Sequence, residues 1–155
     1  MFGKKKGQAT IEYLVLLAVA IIIALVIFAF MGWIPGFAGS LKERQVKLYW
    51  SSQYPIQVRE YSYTNSTGNL SLYLQNVADY QINITGISTS VGSYNIINGS
   101  VVLPGESKLV NFNLNYNCQP GSPFEFTSVK IYYKIIDSGM DMVEVGDRPF
   151  VGTCQ

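Results

Sequence analysis

The 155-residue chain contains no histidine and only two cysteines. Without histidine there is no imidazole general base, no Ser-His-Asp or Cys-His triad and no Cys/His zinc site. Charge is scarce as well, at 14% of residues, where a soluble domain carries about 25%. The formal net charge of +1 provides no basic field of the kind that marks a nucleic-acid binder. No glycine-rich phosphate loop is present. These gaps argue against an enzyme and against a nucleic-acid partner, and no cofactor or metal is expected. The charge deficit is local. Tyr13 to Ser40 carries no charge, and every charged residue except Lys4, Lys5, Lys6 and Glu12 lies from Leu41 on.

The uncharged stretch is the first positive feature. Tyr13 to Ile34 (YLVLLAVAIIIALVIFAFMGWI) is 22 residues long, or about 33 Å as a helix, enough to span a hydrocarbon core of about 30 Å. It is apolar on every face, which marks a membrane span or a helix buried by protein. Trp33 sits where an interfacial aromatic belongs, and Lys4, Lys5 and Lys6 before the span hold that end in the cytoplasm. A cleaved secretory signal fits poorly. Its apolar core is about 7–15 residues long and is followed by a small-residue site, whereas here Gly32-Trp33-Ile34-Pro35-Gly36 follows. A plain anchor fits the length but gives Glu12 no purpose, since a carboxylate at the edge of the span costs roughly 1–3 kcal/mol.

The segment Lys4-Lys5-Lys6-Gly7-Gln8-Ala9-Thr10-Ile11-Glu12-Tyr13, followed directly by the apolar run, resembles the class III signal peptide of archaeal type IV pilins. The family pattern is Gln-x-Ser-x-Glu-Tyr, and Thr10 replaces its serine with another hydroxyl. The resemblance implies that a prepilin peptidase cuts between Gly7 and Gln8, that residues 1–7 leave as a basic leader, and that residues 8–50 form a membrane and assembly helix. It also implies that Glu12 pairs with the new α-amino group of Gln8 on a neighbouring subunit. The simpler role for Glu12 is a first-turn carboxylate facing the helix dipole, worth about 0.3–1 kcal/mol. The expected product is a homo-oligomeric helical surface filament, built by pilus assembly machinery from subunits that wait in the membrane, with adhesion to a surface or glycan as its purpose. Alternatives are a minor pilin or a monomeric membrane-anchored binding module. An archaellin is less favoured because that family usually has small, Gly-rich residues after the cut.

Pro35, between Gly32 and Gly36, is expected to kink or open the helix. Phe37 to Trp50 is compatible with resumed helix, with Leu41, Leu48 and Trp50 toward a core and Lys42, Glu43 and Arg44 outward. Residues 51–155 read as an extracellular antiparallel β-sandwich, so the whole chain is α+β. Period-2 alternation puts Leu70, Leu72 and Leu74 on one face, and likewise Ile82 with Ile84, Val110 through Tyr116, and Val129 through Ile135. Turns are expected at Thr67-Gly68, Asn98-Gly99, Pro104-Gly105 and Ser138-Gly139, separating roughly eight strands.

Cys118 and Cys154 both lie in this outer part, where an oxidising exterior permits a disulfide. Two free thiols are the alternative. Sequons at Asn65, Asn69, Asn83 and Asn98 make these N-glycosylation candidates, and Asn83 is expected to face solvent, opposite Ile82 and Ile84. The acids between Asp137 and Asp147 lack the ligand spacing of a calcium loop and read as a solvated turn. The ten tyrosines beyond Tyr13 read as strand packing rather than as a sticky surface.

Overall fold

The computed structural model describes residues 5–32 and 35–155. The protein is α+β: an apolar N-terminal helix and a second helix precede antiparallel β-sheets. It divides into two compact units, Met1–Ser40 and Leu41–Gln155.

In the first unit, α1 runs from Lys5 to Gly32. From Ile11 to Phe30 its apolar side chains, including Leu14, Leu16, Ile22, Leu25 and Phe28, are exposed. Thr10–Phe30, 21 residues, is long and apolar enough to cross a membrane. Trp33 and Ile34, and with them the expected interfacial aromatic and the kink before Pro35, lie outside the described residues, as does Lys4. Pro35 opens α2 (Pro35–Ser51), a favourable place because a first-turn N–H has no helical partner to lose.

The second unit begins within α2. Val46 and Trp50, one turn apart, are buried, whereas Leu41 and Leu48 are 45% and 70% exposed. The sequence places Leu41 and Leu48 inward, and the structure corrects this. Two apolar stripes compete on this helix, and the one carrying Trp50 wins because its indole stacks on Phe150 at 4.6 Å and lies against Gly146. Trp50 itself points inward as expected.

Nine strands follow among the described residues: β1 (Ile56–Thr64), β2 (Asn69–Asn76), β3 (Ile82–Thr89), β4 (Gly92–Val102), β5 (Ser107–Asn113), β6 (Pro123–Phe126), β7 (Lys130–Ile135), β8 (Asp141–Val145) and β9 (Phe150–Thr153). They pair in the orders β1-β2-β5, β4-β3-β7-β8 and β6-β9. Alternation decides the inner face. Leu70, Leu72 and Leu74 of β2, Ile82 and Ile84 of β3, and Ile131 and Tyr133 of β7 enter one shared core with Tyr63, Phe112, Phe126 and Phe150. Buried Asn76 is satisfied: its Nδ2 donates to the Tyr80 and Val102 carbonyls at 2.8 and 3.0 Å, and its Oδ1 accepts from the Ala78 N–H at 3.0 Å. It thereby fixes the β2–β3 connection to the end of β4.

Three local expectations are revised. The alternation of burial continues through Leu114 and Tyr116, but the β5 ladder stops at Asn113. There the Leu114 and Asn115 N–H groups both turn to the Gly68 carbonyl, and Asn115 takes φ 50°. Asn98-Gly99 is not a connection between strands. It lies inside β4, where the register against β3 slips between Ile84 and Gly86, and Gly99 there has φ 62°. The acidic stretch Asp137–Asp147 is not all turn: after Ser138-Gly139 it forms β8, paired with β7. The turns at Thr67-Gly68, Pro104-Gly105 and Ser138-Gly139 stand where expected, each with a glycine at positive φ.

Candidate functional site

Gly7, Gln8 and Glu12 all lie in α1, with Gln8 and Glu12 one turn apart. Among the described residues α1 begins at Lys5 and has no acid in its first turn. Glu12 is therefore two turns inside, beyond the reach of the dipole at the helix start, which fades within one turn. Only if Gln8 became the first residue would Glu12 come near a helix start and its amine.

The second unit brings Cys118 and Cys154 together as a disulfide, with Cα atoms 6.4 Å apart. Closing a loop across 36 positions is worth about 3.8 kcal/mol in the chain-entropy model. The bridge works with hydrogen bonds that hold the last residues. The Gln155 N–H donates to the Tyr63 carbonyl at 3.0 Å, the Asn65 N–H donates to the Gln155 carbonyl at 2.9 Å, and the Cys118 N–H donates to Asn65 Oδ1 at 3.1 Å. The Tyr61 hydroxyl donates to the Val151 carbonyl at 2.7 Å, and burial pushes that phenol up to about 12.

The four sequon asparagines are not equivalent. Asn98 is exposed on the irregular part of β4. Asn69 is half-buried at the start of β2. The Asn65 side chain is engaged by Cys118. Asn83 departs from expectation: it is half-buried, and a Cβ on Gly99 would stand 2.2 Å from its Oδ1, which has no hydrogen-bond partner. The slipped part of β4 covers it.

A groove of about 370 Å³ runs between α2 and the outer face of β1 and β2, lined by Glu43, Lys47, Glu60, Tyr73, Leu109 and Thr153, among others. Lys47 Nζ bridges Glu43 at 3.3 Å and Glu60 at 3.2 Å. Burial pulls the ammonium down, but hydrogen bonds to the two carboxylates outweigh it and hold it above its ordinary range. Among the described residues no three His, Cys, Asp or Glu side chains are placed to hold a metal.

Glu144 is the chemically unusual residue that the sequence reading missed. It lies on β8 opposite Ile131 and is only 7% exposed. Its Oε2 accepts from the Ile56 N–H at 3.3 Å, and its Oε1 has no partner. Burial pushes this carboxyl up to about 7, against the opposing effect of the Ile56 hydrogen bond. Burial likewise lifts the nearby Tyr133 phenol to about 12, with a smaller push from the Tyr80 and Glu144 charges. The usable signal was the alternation Met142, Val143, Glu144, Val145. A strand there must send either the valines or the glutamate inward, and pairing with β7 sends the glutamate.

No protein-family model matches the chain, and no curated protein matches it.

Proposed function

We propose that this protein is the structural subunit of an archaeal type IV pilus-like surface filament, processed between Gly7 and Gln8 and polymerising through α1. The observation that carries the reading is α1 itself: Thr10–Phe30 is apolar on all sides and buries none of that surface within its own chain, yet it carries Glu12 at its edge. Lipid alone would accept the apolar run and penalise the carboxylate. A bundle of identical helices accepts both, provided a neighbour's Gln8 amine meets each Glu12. The β unit, with its disulfide and its sequons, suits an extracellular position, and adhesion is the role assigned to the filament.

Glu12→Gln tests this. Removing one member of a buried ion pair leaves the other uncompensated, at about 3–5 kcal/mol. The penalty falls on entry into the bundle, so processing and membrane levels should stay near those of the wild type while filament yield collapses. Cell fractionation with filament counting reads both quantities. Normal filaments from the variant would remove the pairing role.

A further inference from the structure

The outer unit carries two exposed apolar surfaces of opposite electrostatic character. The first is the β7–β8 hairpin. Strand β8 is an edge, paired only with β7 among the described residues and blunted by its inward Glu144 and its exposed Asp141. Met142, on the face of Glu144, is 42% exposed, Val143 and Val145 are 46% and 54% exposed on the other face with Tyr132, and Met140 and Ile136 are exposed at the turn end of the hairpin. From Ile135 to Asp147 the chain has four acids and no base. Of these, Asp137, Asp141 and Asp147 are exposed. Of the two β7 lysines, Lys134 is neutralised by Asp141 at 3.5 Å, and Lys130 lies across from Val145, away from the tip. The second surface is the outer stripe of α2: Leu41, Arg44, Gln45 and Leu48, spaced i, i+3, i+4, i+7 and all exposed. A pocket of about 310 Å³ opens beside Leu48, lined also by Arg44, Ser51 and Arg59. Lys47 and Glu60 at its margin are already paired with each other, which leaves Arg44 and Arg59 as its net charge. Arg59 is turned toward Gln75 and uses no carboxylate.

We propose that the β7–β8 hairpin of one subunit docks on the α2 outer stripe of a second copy, with Met140 and Met142 beside Leu48 and with Asp137 at the tip facing Arg44 and Arg59. Each surface sets exposed apolar side chains beside net charge of the sign opposite to the other's. The hairpin does not serve its own α2. The Asp147 N–H is held by Tyr49 Oη at 2.8 Å, and the tip lies at the far end of β8, about 17 Å along the strand from that anchor. Made in one direction only, such a contact is heterologous and can propagate from copy to copy. The proposal deepens the filament reading and rests on it: α1 would supply the bundle, and this contact would set the spacing of the outer units.

The test uses the full chain in cell membranes, with a benzophenone side chain in place of Leu48 and a mixture of tagged and untagged copies. Illumination should join position 48 of one copy to residues 136–145 of another. Arg44→Asp with Arg59→Asp should lower a second adduct, formed from benzophenone at position 142, about tenfold, because like charges then face each other. Adding Asp137→Lys to the same chain should restore part of it. Adducts within one copy, adducts to other segments, or an Arg44/Arg59 variant that crosslinks as well as the wild type would overturn the contact. Filaments whose adducts map elsewhere sink this contact and leave the filament reading intact. The expected adducts from a wild type that never forms filaments support the contact and sink the filament reading.

Discussion

Replacing Glu144 with glutamine should change how stability depends on pH, not merely how stable the protein is. In the folded chain burial raises the carboxyl from 4.5 to about 7. A carboxyl raised on folding holds its proton longer in the native state than in the unfolded one. Below pH 4.5 both states are protonated and the native state has its full advantage. Between pH 4.5 and about 7 the unfolded chain releases the proton while the native chain keeps it, so stability falls as pH rises. Above about 7 both are ionised, and the cost of the buried carboxylate has been incurred in full. At about 1.4 kcal/mol per pKa unit, that interval corresponds to roughly 3 kcal/mol, or on the order of 10 °C in Tm. Glutamine can still accept from the Ile56 N–H but has no proton to lose. Any fixed penalty from its extra N–H donors would be the same at every pH, so the informative quantity is the change in the wild-type-minus-variant difference. Thermal melting of the full chain in detergent from pH 4 to pH 8 measures it. The wild type should lose roughly 3 kcal/mol relative to Glu144→Gln across that range, while other carboxylates contribute equally to both proteins. Parallel curves would refute the buried, half-satisfied carboxyl.

Gly146→Ala should destabilise the second unit by about 1–3 kcal/mol, because its Cβ would stand 2.1 Å from the Trp50 ring; denaturant melts that match the wild type would contradict the Trp50–Gly146 packing. Glycopeptide mass spectrometry of surface material should find Asn98 the most occupied sequon and Asn83 empty. A glycan on Asn83 would mean that β4 does not cover it when the sugar is added. Non-reducing peptide mapping should join Cys118 to Cys154, and reduction should lower stability by about 3–4 kcal/mol. Free alkylation of both thiols without reductant would contradict the bridge.

The sequence revealed most where one force dominates. The leucines of β2 and the isoleucines of β3 can be read from alternation alone, because one face of each strand is buried and a one-residue slip would expose every one of them. The all-round apolar helix is likewise plain, since no core needs to be assumed to see it. The misses share a cause: they depend on what lies opposite. Leu41 and Leu48 form a stripe as regular as that of Val46 and Trp50, and only the presence of Phe150 and Gly146 decides between them. Asn98-Gly99 has turn chemistry, but β4 is long enough to use its freedom at positive φ for a slip in register, which in turn covers Asn83. Glu144 was hidden because acids near a turn normally face water. Here pairing with β7 fixes the phase of β8 and exposes two valines in its place.

The central claim is that this chain is a processed filament subunit. The intact mass and N-terminal sequence of the protein recovered from sheared cell-surface filaments test it most directly. A processed subunit begins at Gln8, retains α1 and carries one disulfide. A chain that begins at Met1 or after Pro35, or filaments that lack this protein, would contradict it.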